Sequence, residues 1–109
     1  MRILLDHNTP APLRYALRGH RVETAYERGW AEVQNGDLIA EAESAGFDLL
    51  FTTDQGIRYQ QNWAVRSIAL LVLSTNDWTQ LRRFKGRIVE AVDSIQPSVC
   101  VELEVPRSE

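Results

Sequence analysis

Three strongly apolar segments constrain the fold of this chain more than any other feature of its sequence. They are Arg2–Asp6, Phe47–Thr53 and Ser67–Ser74, and each contains a continuous apolar run instead of an alternation of apolar and polar residues. A strand that is apolar on both sides must be covered on both faces, so such runs are typical of parallel strands between two layers of helices. The sequence therefore predicts a parallel sheet with helices on both sides.

Helical patterns separate these segments. Asp37–Gly46 begins with an acidic residue and ends at a glycine, which is typical of a helix. Asp77–Ile95 has the apolar periodicity of one long helix. The residues predicted to form its buried face are Trp78, Leu81, Phe84, Ile88, Val92 and Ile95. The segment His7–His20 contains a further helix, for which Asn8 or Thr9 can serve as the cap.

Two further strands, Arg21–Tyr26 and Ser98–Val105, complete the predicted sheet. The second of them alternates between apolar and polar residues, so we expect an edge strand that is open to homodimerisation or to a partner chain. The predicted fold class is α/β, a small three-layer sandwich with a central, mostly parallel sheet of four to five strands. A length of 109 residues fits one domain over residues 1–109.

The composition argues against several classes of protein. The longest apolar run, Ile68–Leu73, has six residues, whereas a bilayer span needs roughly 20, so we expect no membrane segment. Asp6 and His7 interrupt the apolar opening, which argues against a signal segment. The single cysteine, Cys100, excludes an internal disulfide, and we expect a cytoplasmic protein. A net charge of −3 argues against a protein that coats nucleic acid non-specifically.

Aspartates follow two of the buried strands at the point where each strand ends. Asp6 comes after the first strand and Asp54 after the third, while Asp37 begins the helix that leads into the third strand. Ligands of open parallel sheets bind beyond the carboxyl ends of the strands. Carboxylates that share one rim repel each other unless a cation compensates, and hard oxygen ligands suit Mg²⁺ or Mn²⁺. This pattern predicts a divalent metal site.

Each acid also has a purely structural interpretation. Aspartate is a favoured helix N-cap, so Asp37, Asp54 and Asp77 can each be caps, and Asp77 fits that role best because it precedes the long predicted helix. Asp6 is harder to explain in this way, since two other capping residues follow it closely. His7 either faces the rim or forms a structural hydrogen bond.

The segments "MRILLDHNTPAPL", "GHRVETAYERGW" and "NGDLIAEAESAGFDLLFTTDQGIRYQQN" resemble the PIN-like family of small bacterial and archaeal proteins, part of the PIN nuclease superfamily. The resemblance covers roughly residues 1–62. It implies a PIN-like sheet and an Mg²⁺- or Mn²⁺-dependent phosphodiesterase site in which Asp6, Asp37 and Asp54 are metal ligands and catalytic residues. Because the superfamily includes toxins of toxin–antitoxin pairs, the resemblance also implies RNA as substrate and an antitoxin protein as partner.

The segment that follows Asp54 supplies the expected substrate contacts. Arg58 suits a bidentate contact to phosphate, and Asn62 suits hydrogen bonds to sugar or base edges. Asn8, next to the first acid on the rim, is the third residue expected to bind substrate. The alternative is that the amides of this segment satisfy backbone groups of their own loop.

Three hypotheses about function remain open. The first is a metal-dependent endoribonuclease. The second is a binding module without catalysis, which is favoured by the residues Gln55–Ile57, where many relatives carry an additional acid. The third is a phosphoaspartyl protein, but that chemistry needs a lysine at a later strand end, and the one lysine, Lys85, falls inside the long predicted helix.

Overall fold

The computed structural model describes residues 1–57 and 66–106, and these build a five-stranded sheet. The strands are β1 (Arg2–Leu5), β2 (Arg21–Thr24), β3 (Leu49–Thr52), β4 (Ala69–Leu73) and β5 (Cys100–Leu103). Their order across the sheet is β2-β1-β3-β4-β5, and every pair of neighbours is parallel. The predicted parallel α/β sheet is therefore confirmed, with β5 at one edge as expected.

The helices cover both faces of the sheet. They are a 3₁₀ helix (Ala11–Ala16), α1 (Asn35–Ser44), α2 (Trp78–Leu81) and α3 (Lys85–Ser94). They form the outer layers of a three-layer sandwich, as the sequence predicts. Among the described residues, none of these helices combines the length and the apolar character that a membrane crossing requires.

Two separate apolar clusters form the core, one on each face of the sheet. Alternate residues of a strand serve opposite clusters, so Ile3 belongs to one and Leu4 to the other. The 3₁₀ helix, α2 and α3 complete the first cluster, and α1 completes the second, for example with Leu38. This two-sided burial is the reason why the strands are continuously apolar.

The prediction of one long helix over Asp77–Ile95 was wrong, because the helix is interrupted after Leu81. The backbone N–H groups of Arg83 and Phe84 bond to carbonyls three residues back, a tighter turn than an α-helix has. Gly86 lowers helix propensity at the restart by about 1 kcal/mol relative to alanine, which favours a break here. The predicted buried face is confirmed all the same.

The members of that face keep their helical spacing on both sides of the break. Leu81, Ile88 and Val92 are buried, and the other three pack half-buried against the same core cluster. A second correction concerns the 3₁₀ helix, whose N-cap is Pro10 and neither Asn8 nor Thr9. Pro12 in the first turn has no backbone N–H, so one of the donors that a side-chain cap would satisfy is absent.

The strand order determines where a ligand can bind. From β1 the chain moves to β2 on one side, and it then crosses to β3 on the other side of β1. The order 2-1-3-4-5 of doubly wound sheets has its topological switch point between the first and third strands, and a crevice opens there at the carboxyl ends. The ends of β1 and β3 are the places that Asp6 and Asp54 follow.

Phe51 gives a direct test of the packing. Its side chain is 0% exposed in the core of β3, so Phe51→Ala should lower the free energy of unfolding by about 3–5 kcal/mol. Tyr15→Ala is the matched control, because the ring of Tyr15 is 74% exposed, and we expect a change within about 0.5 kcal/mol. Urea denaturation measures both variants, and equal losses of stability would contradict the observed core.

Candidate functional site

The ends of β1 and β3 lie side by side at the switch point. Leu5 pairs with Phe51 in parallel register, and the backbone N–H of Asp6 donates to the carbonyl of Phe51 at 3.0 Å. Asp54 follows two residues after the last residue of β3. The register therefore brings the chain segments of Asp6 and Asp54 to the same part of the rim, as the sequence predicts.

A polar network is buried beneath this rim. Asp6, Thr9 and Thr52 are the buried polar residues among those that the structure describes, and they bond to one another. Asp6 is 1% exposed. Burying polar groups is costly unless they are hydrogen-bonded, so three of them together in an otherwise apolar core mark a special place in the fold.

The carboxylate of Asp6 accepts four hydrogen bonds from the residues that the structure describes. The backbone N–H groups of Asn8 and Thr9 donate to its Oδ1 at 3.1 and 2.8 Å, and the Thr9 hydroxyl donates to the same atom at 2.7 Å. The Thr52 hydroxyl donates to Oδ2 at 2.6 Å. These donors hold the carboxylate in one orientation and shape the turn that leads into the 3₁₀ helix. Asp6 thus has a structural role that the capping argument from sequence did not foresee.

Thr52 connects the two strand ends. Its hydroxyl donates to Asp6 and at the same time accepts from the backbone N–H of Asp54 at 3.1 Å. A hydroxyl has one hydrogen and two lone pairs, so it can do both at once. The position of the Asp54 backbone is therefore coupled to the Asp6 carboxylate through a single side chain.

Asp54 faces a polar cavity of about 540 Å³. Among the residues described, its lining consists of His7, Asn8, Ala31, Glu32, Val33, Gln34, Gly36 and Asp54. The loop after β2 and the start of α1 form one wall, and the segments after β1 and β3 form the other. One carboxylate oxygen of Asp54, Oδ1, accepts from the backbone N–H of Gly56 at 3.1 Å, which is a local turn contact like that of a cap.

Asp37 lies near this cavity but not in its wall. It is the third residue of α1, whose N-cap is Gln34, and its side chain is exposed. Gly36, which precedes it, lines the cavity. Across residues 1–57 and 66–106, no group of three or more His, Cys, Asp or Glu side chains is arranged to hold a metal ion. The shared site of Asp6, Asp37 and Asp54 therefore stays a prediction.

The remaining predictions concern three substrate-binding residues and one helix cap. Asn8 is exposed and lines the cavity, and its predicted substrate contact stays a prediction. Arg58 and Asn62 lie outside the described residues, so their predicted substrate contacts stay predictions. Asp77 is a helix N-cap, because its side chain accepts from the backbone N–H of Thr79 at 2.9 Å, and this structural interpretation is confirmed.

A second cavity of about 630 Å³ adjoins the same turn. Its wall includes Asp6, Asn8, Tyr26, Glu27 and, from the end of β4, Asn76. Glu27 is fixed by the guanidinium of Arg14 and by the backbone N–H of Thr24, which donates to Oε1 at 2.9 Å. The hydrogen bond from Arg14, followed by that from Thr24, lowers the pKa of Glu27 to about 2.

Reasoning from sequence missed Thr9 and Thr52 as parts of the site. A signal for Thr52 was present, since a threonine pair interrupts an apolar strand directly before an aspartate. It also missed Glu32 and Gln34, which line the first cavity from an irregular connection that carries no periodic pattern. Glu32 and Gln34 reach the cavity because of the position of the loop after β2, and no local sequence pattern predicts that position.

No protein-family model, curated protein or solved structure matches this chain. The resemblance to PIN-like proteins, and the activity that it implies, therefore stay predictions.

Thr52→Val tests the coupling of the two strand ends. Valine has nearly the same shape but no hydroxyl, so Asp6 Oδ2 loses a donor and the N–H of Asp54 loses an acceptor. We expect the free energy of unfolding to fall by about 1–3 kcal/mol. Thr52→Ser keeps the hydroxyl and should restore most of that loss in chemical denaturation. Equal destabilisation by both substitutions would show that packing, and not the hydrogen bonds, is what matters at this position.

The Arg14–Glu27 contact predicts a pH dependence. Because folding lowers the pKa of Glu27 from 4.5 to about 2, its stabilising effect is fully present above pH 4.5 and is lost as the pH falls through about 2. Arg14→Gln should raise this pKa towards 4.5, as measured by NMR titration of the side-chain carboxyl. Arg18→Gln, at an exposed arginine near the same helix, is the control and should leave it unchanged. A value near 2 in Arg14→Gln would contradict the assigned cause.

Proposed function

We propose that this protein is a metal-dependent phosphodiesterase that cleaves RNA at the cavity beside Asp54. The observation that carries the proposal is the pair of aspartates at the ends of β1 and β3, which Thr52 couples directly beneath a polar cavity. Aspartates at neighbouring strand ends, at the topological switch point, stand where ligands of such sheets bind. The resemblance to PIN-like proteins supports the same assignment.

The residues present fit Mg²⁺ or Mn²⁺ better than a metal that requires a complete protein cage. Magnesium keeps several waters and is usually held by one or two carboxylates together with substrate phosphate. Asp54 lines the cavity, and Oδ2 of Asp6 accepts one hydrogen bond among the described residues, from Thr52. These two residues would hold the ion. Asp37, at the start of α1, would join them as the third acid only by turning its exposed side chain towards the cavity. When bound, the ion lowers the pKa of a water and neutralises charge on the phosphoryl group.

The charge of the cavity wall explains why a cation would be needed. Glu32 and Asp54 contribute carboxylates, and the described lining residues include no lysine or arginine. A phosphate that entered such a cavity alone would be repelled by these carboxylates. The polar side chains of Asn8, His7 and Gln34 remain to orient the substrate by hydrogen bonds. The chain itself would thus position the substrate and the ion, while the network around Asp6 keeps the site rigid.

Two further parts of the proposal concern context. A role as the toxin of a toxin–antitoxin pair, with an antitoxin as partner, is supported by the resemblance to PIN-like proteins. A cytoplasmic setting is supported by the single cysteine, Cys100, which has no second cysteine in the chain to pair with.

A second function, RNA or protein binding without catalysis, is favoured by two observations. The four hydrogen bonds that Asp6 accepts from the described residues are internal, and the exposed side chain of Asp37 does not line the cavity. An acid that serves only to hold a turn would leave Asp54 without the neighbouring ligand that catalysis needs. The two functions differ in one measurable property, which is the affinity of the cavity for a divalent ion.

Cleavage of labelled RNA in the presence of Mn²⁺ tests the enzyme. Asp54→Asn should reduce the rate by more than the roughly 10–100-fold that is typical for outer-shell partners of metal ligands, and Asp6→Asn should do the same. Asp93→Asn, at a mostly exposed side chain of α3, is the matched control and should cleave as the wild type does. Equal cleavage by the wild type and by Asp54→Asn would identify a contaminating nuclease and end the proposal.

Calorimetric titration with Mn²⁺ separates the two functions. The enzyme should bind the ion, and Asp54→Asn should bind it more weakly. If the wild type takes up no Mn²⁺ and cleaves no RNA, the binding module is the correct alternative.

A further inference from the structure

A cluster of positive charge lies at the break between α2 and α3. Arg82, Arg83, Lys85 and Arg87 are all exposed, and we call them together the basic segment. They are four of the 12 lysines and arginines in a chain whose net charge is −3, and no acidic residue occurs between Asp77 and Glu90. The positive charge of this region is therefore local and is opposite in sign to that of the whole chain.

The cations of the basic segment are not neutralised by the rest of the described structure. Arg2, Arg14, Arg28 and Arg66 each lie within salt-bridge distance of a glutamate. Within residues 1–57 and 66–106, none of the four cations of the basic segment has such a partner, and Arg87 contacts only the ring of Phe84, at 5.9 Å from its centroid. Like charges held close together repel each other, so a polyanion that binds here would relieve this repulsion.

The basic segment and the 3₁₀ helix lie on the same face of the sheet, and the second cavity adjoins that helix. The 3₁₀ helix packs against α2 and α3, and the segment from Asp6 to Arg14 that leads into and through that helix also lines the cavity. Asn76 lines the cavity as well and lies just before α2. Asp77 and the four residues of α2 separate Asn76 from Arg82, the first residue of the basic segment, and α2 itself rises roughly 6 Å at 1.5 Å per residue.

We propose that the basic segment binds the phosphate backbone of a single-stranded RNA whose cleavage point lies in the cavity beside Asp54. The identity of the ligand rests on the proposed function. Arginine and lysine at this spacing would contact successive phosphates, without reading the sequence. The exposed tyrosine of the neighbouring 3₁₀ helix, Tyr15, offers a ring on which a base can stack.

The surroundings favour RNA over an acidic protein as the partner. Protein interfaces have a core of apolar and aromatic side chains, whereas surfaces that bind nucleic acid are polar and positively charged. The exposed large hydrophobic residues among those described are Met1, Tyr15, Tyr26 and Val99. None of them lies on α2 or α3, so the basic segment has no apolar centre of its own.

Fluorescence anisotropy of a short labelled oligouridine, measured in EDTA over a range of salt concentrations, tests this proposal. The comparison is between two double variants with the same change in charge. Arg82→Gln/Arg83→Gln should weaken binding and reduce the slope of log K against log salt by about 1.4, because two phosphate contacts are lost. Arg18→Gln/Arg21→Gln, at exposed arginines before and at the start of β2, should keep the wild-type slope.

Because the experiment measures RNA binding and not RNA cleavage, it tests the basic segment independently of the proposed enzyme activity. EDTA removes divalent ions, so binding is measured without cleavage, and Asp54→Asn should bind the oligonucleotide at least as well as the wild type. Binding without cleavage in Mn²⁺ would refute the enzyme and leave the basic segment as an RNA-binding surface. Equal losses in the two double variants, or no binding by the wild type, would overturn the present proposal. If the wild type does not bind the oligonucleotide, an acidic protein becomes the better candidate for the partner of the basic segment.

Discussion

The hydrogen bond from the Thr52 hydroxyl to the Asp6 carboxylate connects the neighbouring strands β1 and β3 at the place where a ligand can bind. It lies in a core that is otherwise apolar, and the same hydroxyl accepts the backbone N–H of Asp54. A buried polar network of this kind is stable only when each member is satisfied, because every unpaired group would carry a desolvation cost. The network therefore determines the geometry of the rim, whatever chemistry occurs there.

Two regions of opposite charge follow from the same architecture. The described lining of the cavity beside Asp54 includes two carboxylates and no cationic lysine or arginine, whereas the break between α2 and α3 presents four exposed cations without an ion-pair partner among the described residues. A phosphodiester polymer would need a metal ion at the first region, but it would be attracted directly by the second. The cations lie in and around the tight turn that interrupts the long predicted helix, so the break places them close together on the surface.

The sequence predicted much of the fold because burial on both faces leaves a strong pattern. Continuous apolar runs such as Ile68–Leu73 identify central strands of a parallel sheet, and the spacing of Leu81, Ile88 and Val92 identifies one helical face even across a break. The break itself was missed, since periodicity is the same for one helix and for two helices that pack on the same core. The cap at Asp77 was predicted correctly, because capping depends on contacts within a few residues.

For this chain, the sequence by itself determined the class of fold, the parallel strands and the positions of Asp6 and Asp54 at strand ends. Those properties depend on local periodicity and on the general rule that ligands bind at the carboxyl ends of strands. The tertiary structure alone decided that β1 and β3 are neighbours, that Thr52 joins their ends and that the loop carrying Glu32 closes the cavity. These are contacts between residues far apart along the chain, and strand order and loop placement, which no local pattern encodes, bring them together.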